Sequence, residues 1–165
     1  MNIKLQPYEW AMAASVGMRR NMSAVVDLRP DQHGLSGDGW GIHIEGACGE
    51  MAVAKALGVY WDGSVNTFKG PDVGSIQVRT RSEDYYGLLV RAKDSDDDVF
   101  VLVTGKSPEF VVRGWLRGSE AKREEWLSSH GGRPPAYFVP QERLRPIEDL
   151  YGLHHVKESV ATRPA

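Results

Sequence analysis

The helical spacing of apolar residues falls mostly before residue 58, in two segments, and most of the strand-like spacing falls after it. This one change of period sets the class of fold open to it. Over residues 8–26, Trp10, Ala13, Ala14, Gly17, Met18, Met22 and Val25 fall at helical spacing, with Arg19 and Arg20 near the middle. A first helix is predicted there, preceded by a short strand at residues 3–5 that Pro7 stops. Residues 42–58 predict a second helix with Gly58 at its end. The stretch between, residues 28–41, is rich in Asp, Gly, Ser and Pro and reads as a loop.

Beyond the second helix, residues 59–61 read as extended and 62–70 as a polar connection. Residues 76–80 alternate, with Ile76, Val78 and Thr80 on one face and Gln77, Arg79 and Arg81 on the other. Residues 86–92 and 99–104 flank Lys93-Asp94-Ser95-Asp96-Asp97-Asp98 and predict an antiparallel hairpin. Another strand is expected at 110–116, and Ser119 offers an N-cap to a helix ending near residue 127. Gly131-Gly132-Arg133-Pro134-Pro135 then breaks the chain before a brief strand at 136–139, a short helical piece and a tail from residue 156 that is expected to be mobile. No repeat or linker divides the chain. The expectation is a single α/β domain, at the boundary with α+β, over residues 1–155.

Composition narrows the function. With 20 Lys and Arg against 22 Asp and Glu in 165 residues, the net charge of −2 argues against a polybasic nucleic-acid binder and leaves a local basic surface open. The single cysteine, Cys48, excludes an intramolecular disulfide framework and a cysteine zinc cage, and is expected in the core. No signal-peptide pattern opens the sequence, and the apolar stretch at 11–16 is too short to span a bilayer. A soluble, cytoplasmic protein with no membrane partner is therefore expected. Gly37-Asp38-Gly39-Trp40-Gly41 matches a phosphate loop only superficially, since no strand precedes it and no Lys-Ser/Thr follows. Trp10, Trp40, Trp61, Trp115 and Trp126 are expected as core anchors, with base stacking as an alternative for Trp40 and Trp61.

Two elements carry candidate chemistry. Glu50 lies inside the second helix, and its neighbours three and four positions away are Gly46, Ala47, Val53 and Ala54. A carboxylate on such a face is desolvated unless a cation or donor meets it, and the plain alternative is an ordinary salt-bridge partner. The second element is Pro71-Asp72-Val73-Gly74-Ser75-Ile76-Gln77-Val78-Arg79. An acidic residue at a strand entrance, with Gln77 and Arg79 side by side on one face, suits a magnesium site that stabilises charge on phosphorus. The plain alternative makes Asp72 a turn residue and Gln77 and Arg79 the solvent face of an edge strand.

Helix-borne Glu50, then Pro71-Asp72, then Gln77-Val78-Arg79 in a strand, resembles the PD-(D/E)XK nuclease superfamily over roughly residues 42–150, and more loosely uncharacterised phage and prophage proteins assigned to it. The resemblance implies a restriction-endonuclease-like αβββαβ core with a mixed sheet and an extra N-terminal helix. It implies that Glu50, Asp72 and the Val78 carbonyl hold Mg²⁺ (or Mn²⁺), with Gln77 and Arg79 completing the catalytic set. Gln77 stands where the superfamily usually has Asp or Glu, and Arg79 where it usually has Lys. The implied function is metal-dependent hydrolysis of DNA phosphodiesters, with RNA left open and a homodimer as a form such enzymes often take. The alternative is a catalytically inactive relative that binds DNA or a protein. Arg19, Arg20, Arg81, Arg113, Arg117, Lys122 and Arg123 are the candidate nucleic-acid contacts, with Arg91 and Arg133 among the further basic residues that could line the path.

Overall fold

The computed structural model describes residues 1–26, 39–65, 70–130 and 132–151. Most of the expected 28–41 loop, His154-His155 and the tail lie outside them.

In chain order the elements are β1 (Asn2–Lys4), α1 (Pro7–Val26), α2 (Gly39–Leu57), β2 (Ile76–Arg81), β3 (Leu88–Arg91), β4 (Val99–Lys106), β5 (Glu109–Arg117), α3 (Gly118–Ala121), β6 (Leu127–Ser128) and β7 (Ala136–Val139). The fold is α+β, with a mixed four-stranded sheet ordered β1-β5-β4-β2 and a second sheet ordered β3-β7-β6. Strand β2 runs parallel to β4, whereas β5 is antiparallel to both β4 and β1. Among the described residues no helix is long and apolar enough to cross a membrane.

The layering follows from alternation along the central strand. Val101 and Val103 of β4 share a core with Ile76, Val78, Phe110 and Val112 of the sheet and with Ala47, Ala52 and Val53 of α2. Phe100 and Leu102 face the other way, onto Leu88, Val90 and Val139 of the second sheet and Ala121 of α3. Helix α2 sits directly on the sheet because its contact face is stripped to small residues. A side chain at Gly49 would run into Thr80 of β2. Helix α1 lies on α2, and there Gly17 meets backbone: a Cβ would come within 2.5 Å of Ile44 Cα and 2.6 Å of His43 O.

Three expectations are corrected. The hairpin between 86–92 and 99–104 does not form: β3 pairs with β7, and β4 is filled on its two edges by β2 and β5. A strand apolar on both faces belongs in the middle of a sheet, and the acidic turn is long enough to carry the chain into another layer. Secondly, the helix expected at 119–127 shrinks to α3 and a separate 3₁₀ turn, Glu124–Trp126. Lys122 leaves helical geometry, and its ammonium is drawn to the acidic loop, donating to Ala92 O, Asp94 O and Asp96 Oδ1. Ser119 is not the cap. The Arg117 N–H occupies that position, bonded to the Glu120 carboxylate, and the Gly118 and Ser119 amides bond to Asp98 O and Asp96 O. The core order after α2 is thus four strands, α3 and two strands, not the simple αβββαβ succession. Thirdly, α2 starts at Gly39, so Gly39-Trp40-Gly41 is helical, and Trp10 and Trp40 are exposed and not core anchors.

Gly17→Ala is expected to lower stability by about 1–3 kcal/mol, because the added methyl meets backbone and the two helices must separate. Urea unfolding measures the loss. Gly46→Ala, where a Cβ meets nothing, should leave the midpoint unchanged or slightly raised.

Candidate functional site

Glu50 is delivered into the interior by the turn of α2 that packs on β2, and it is 6% exposed. A bare carboxylate there would be costly, and three side-chain donors meet it. Arg20 reaches across from α1 with both Nη atoms, at 2.5 Å to Oε1 and 2.9 Å to Oε2, while Trp61 Nε1 donates to Oε2 at 3.2 Å. The Arg20 Nε is also used, on Ser64 O at 2.9 Å. This bidentate fork is the geometry in which an arginine binds a carboxylate most strongly.

Asp72 is set by a tight reversal. The Asp72 and Val73 amides both donate to Ile76 O, the Ile76 amide returns to Val73 O at 2.9 Å, and Gly74 supplies the left-handed residue at φ 57°. The carboxylate then caps the strand edge, with Val78 N–H donating to Oδ2 at 2.7 Å. Among the described residues β2 is paired on one side only, where β4 lies. Because a residue in a strand points its N–H and C=O to the same edge, the Val78 carbonyl also turns to the open edge beside Asp72.

The two carboxylates act on each other. Burial pushes the Glu50 carboxyl up; Arg20 and Trp61 oppose the rise through their hydrogen bonds, while the charge of Asp72 adds to it. Burial likewise pushes Asp72 up, against the Val78 amide and the charges of Arg79 and Arg20. Burial acts to lower Arg20, yet the hydrogen bonds and charge of Glu50, with Asp72 and Asp62, hold it above its ordinary value. Arg20 therefore stays charged and is the cation of the site as it stands.

Gln77 and Arg79 lie on the opposite face of β2 from Ile76 and Val78. Arg79 is held by Asp94 at 2.9 Å and Leu89 O at 3.2 Å, with its guanidinium 4.9 Å from the Phe100 ring centroid. Its charge nevertheless bears on Asp72 around the open edge of the strand. Thus Glu50 and Arg20 are in direct contact, Asp72 is bonded to the Val78 amide, and the charge of Asp72 bears on both Glu50 and Arg20. Arg79 and Gln77 approach these residues from the other face.

No family model, curated protein or solved structure matches the chain. The site must be judged on its own donors. Among the described residues no group of three or more His, Cys, Asp and Glu side chains could share a metal ion. Two carboxylates and a backbone carbonyl are nonetheless a set that Mg²⁺ accepts, since it usually keeps several waters. Both Glu50 oxygens are taken by Arg20 and Trp61, so a cation would have to displace Arg20 to use them. Next to these residues opens a shallow cleft of about 260 Å³, lined by Tyr60, Asp62, Ser64, Gly70, Pro71 and Gly74.

The remaining basic candidates are scattered. Arg19 is exposed on α1, and Arg113 is bound to Thr104 Oγ1 at 2.7 Å. Arg117 reaches Asp97 O at 3.3 Å, Lys122 is sequestered by the acidic loop, and Arg123 stacks on Trp126. Sequence reasoning placed Arg20 among DNA contacts and missed its pairing with Glu50, the support from Trp61, and the role of Asp94. The only advance signal was that a carboxylate among small apolar residues needs a cation. Cys48 is buried as expected.

Removing Arg20 leaves Glu50 uncompensated. Arg20→Met is expected to cost about 3–5 kcal/mol at pH 8. The loss should be smaller at pH 5, because the Glu50 carboxyl, already raised by burial and then freed of Arg20, takes up a proton. Denaturant unfolding at the two pH values reads the difference, and adding Glu50→Gln should remove the pH dependence.

Proposed function

We propose that the chain is a metal-dependent phosphodiesterase that hydrolyses DNA, with Glu50, Asp72 and the Val78 carbonyl as the protein ligands of Mg²⁺ or Mn²⁺. The observation that supports this reading is buried Glu50 on α2 and half-buried Asp72 at the edge of β2, whose charges oppose each other, beside a backbone carbonyl that no strand pairs among the described residues. Such a pair raises the affinity for a cation, because each carboxylate gains when the other is neutralised. A bound Mg²⁺ would activate water and stabilise negative charge on phosphorus.

The chain's own groups have distinct tasks in this reading. Arg20 holds Glu50 in place and, were Glu50 to hold a metal, would still be tied to Ser64 O beside the cleft. Arg79, fixed by Asp94, presents a permanent charge to a phosphate oxygen and serves to position it, since guanidinium does not give up its proton. The Gln77 amide orients water by hydrogen bonding and adds no negative charge to the site. The chain would work in the cytoplasm.

A second reading has its own observation. Arg20 already neutralises Glu50, and Asp94 already neutralises Arg79, so a non-catalytic module that binds DNA or a protein is the alternative. It gives DNA binding with a steep salt dependence and no metal-dependent turnover.

The test is cleavage of linear, circular and branched DNA with Mg²⁺ or Mn²⁺. Wild type should cut and Asp72→Asn should lose about 10²-fold or more in rate, with its melting temperature unchanged or raised because an amide removes the repulsion with Glu50. DNA bound without cutting on every substrate would put the second reading in its place. Metal affinity should also fall as pH drops, because the carboxylates must be ionised to bind. Their raised values move that fall above the ordinary carboxylate range of about 4. Calorimetric Mg²⁺ titration between pH 5 and 8 measures it, and an affinity flat over that range would contradict the assignment of ligands.

A further inference from the structure

On the face of the sheet turned away from Glu50, where β2 passes β3, four arginines come together. Arg79 and Arg81 stand two residues apart on β2, and Arg79 Nε ties the strand to β3 through Leu89 O at 3.2 Å. Arg91 ends β3 opposite Ala136 of β7, and Arg133 lies three residues before Ala136. Asp94 serves the group at one side only, taking Arg79 Nη2 at 2.9 Å and the Arg91 amide at 2.8 Å. Among the described residues Arg81, Arg91 and Arg133 have no carboxylate within ion-pairing distance.

Arg81 is the least satisfied of them. Its guanidinium lies 4.4 Å from the Tyr86 ring centroid, and its Nη1 is buried without a hydrogen-bond partner. Buried donors are almost always bonded, so an unbonded one marks a place kept for an acceptor. Besides burial, the like charges of Arg133 and Arg91 press on Arg81, with Tyr86 opposing them, and those of Arg79 and Arg133 press on Arg91, with Asp94 opposing them. One carboxylate, Asp94, bears on this group, so the arginines outnumber the acid that meets them.

We propose that Arg81, Arg91 and Arg133 form a phosphate-binding site, with Tyr86 as its wall and the Arg79–Asp94 pair fixing its inner side. Three forks with a free buried Nη1 suit a tetrahedral oxyanion, which offers an acceptor to each, better than a planar carboxylate, which satisfies one fork at a time. The site does not depend on the carboxylate pair being catalytic. The phosphate could belong to a nucleic-acid backbone or be free.

The test uses the full chain with inorganic phosphate and with a short DNA duplex. Phosphate should bind by calorimetry and raise the melting temperature beyond NaCl at equal ionic strength. Arg81→Gln and the exposed Arg133→Gln should each weaken phosphate binding about tenfold or more, while Arg143→Gln, which removes the same charge elsewhere, should not. If the source is nucleic acid, Arg81→Gln with Arg133→Gln also lowers the salt slope of duplex binding by about 2. If the source is free phosphate, duplex binding keeps its slope. Phosphate no better than NaCl, or equal phosphate affinity in Arg133→Gln, which needs no refolding of the interior, overturns the site. A wild type that binds phosphate and cuts no DNA would count against the nuclease reading alone.

Discussion

Strand β4 carries apolar side chains on both faces, and both faces have to be covered. Phe100, Val101, Leu102 and Val103 are each fully buried, two toward α2 and two toward the smaller sheet. Each such residue contributes about 1.5–3 kcal/mol through burial, so a strand left open on either side would forfeit several of these contributions. The helices therefore occupy one side and β3, β7, β6 and α3 the other. The crossover from β2 to its parallel neighbour β4 has to pass through the second layer, and it takes β3 with it. This is why Arg79 and Glu50, both tied to β2, end on opposite sides of the sheet, and why Asp72, at the strand's open edge, is the residue that senses both.

The electrostatics repeat that division. On the helix side Glu50 is buried with the Arg20 guanidinium between α1 and α2, and the half-buried Asp72 adds a second negative charge nearby. On the other side several guanidiniums are half-buried with one acid, Asp94. Around Glu50 and Asp72 the acids outnumber the one arginine bonded to them, and around Asp94 the arginines outnumber the one acid bonded to them. A ligand that brings a cation to one half and oxyanions to the other would relieve both. A metal–phosphodiester assembly has that composition.

Much of this was legible in the residues. The two long helices follow from period alone, and the alternation of Ile76, Val78 and Thr80 against Gln77, Arg79 and Arg81 foretells which side chains share a face. What pattern could not supply was pairing. The run from Val99 to Thr104 announces a strand buried on both faces, but the acidic turn before it says only that the chain reverses direction somewhere, not which strand it meets. Short-range signals also failed where a distant charge intervened, as when the acidic loop captured Lys122 and cut α3 short. The candidate acids were visible from their surroundings. Of the plain alternatives, the salt bridge of Glu50 holds and β2 is an edge strand among the described residues, but Arg79 faces Asp94, Leu89 and Phe100 and not solvent. The partner was not legible, because Arg20 and Glu50 meet only through the crossing of α1 on α2 at Gly17, a tertiary event.

The bonds between the acidic loop and α3 have a consequence for the nascent chain. Arg20, Glu50, Trp61 and Asp72 are synthesised first, and the strand that Asp72 caps comes directly after them. Arg79 takes its orientation from Asp94, whose loop is held by Lys122 and by the amides of Gly118 and Ser119. As the polypeptide leaves the ribosome, the acidic half can close on its own arginine while the basic half still waits for its clasp. The order of emergence thus keeps the two charge-bearing halves from being completed together until most of the chain exists.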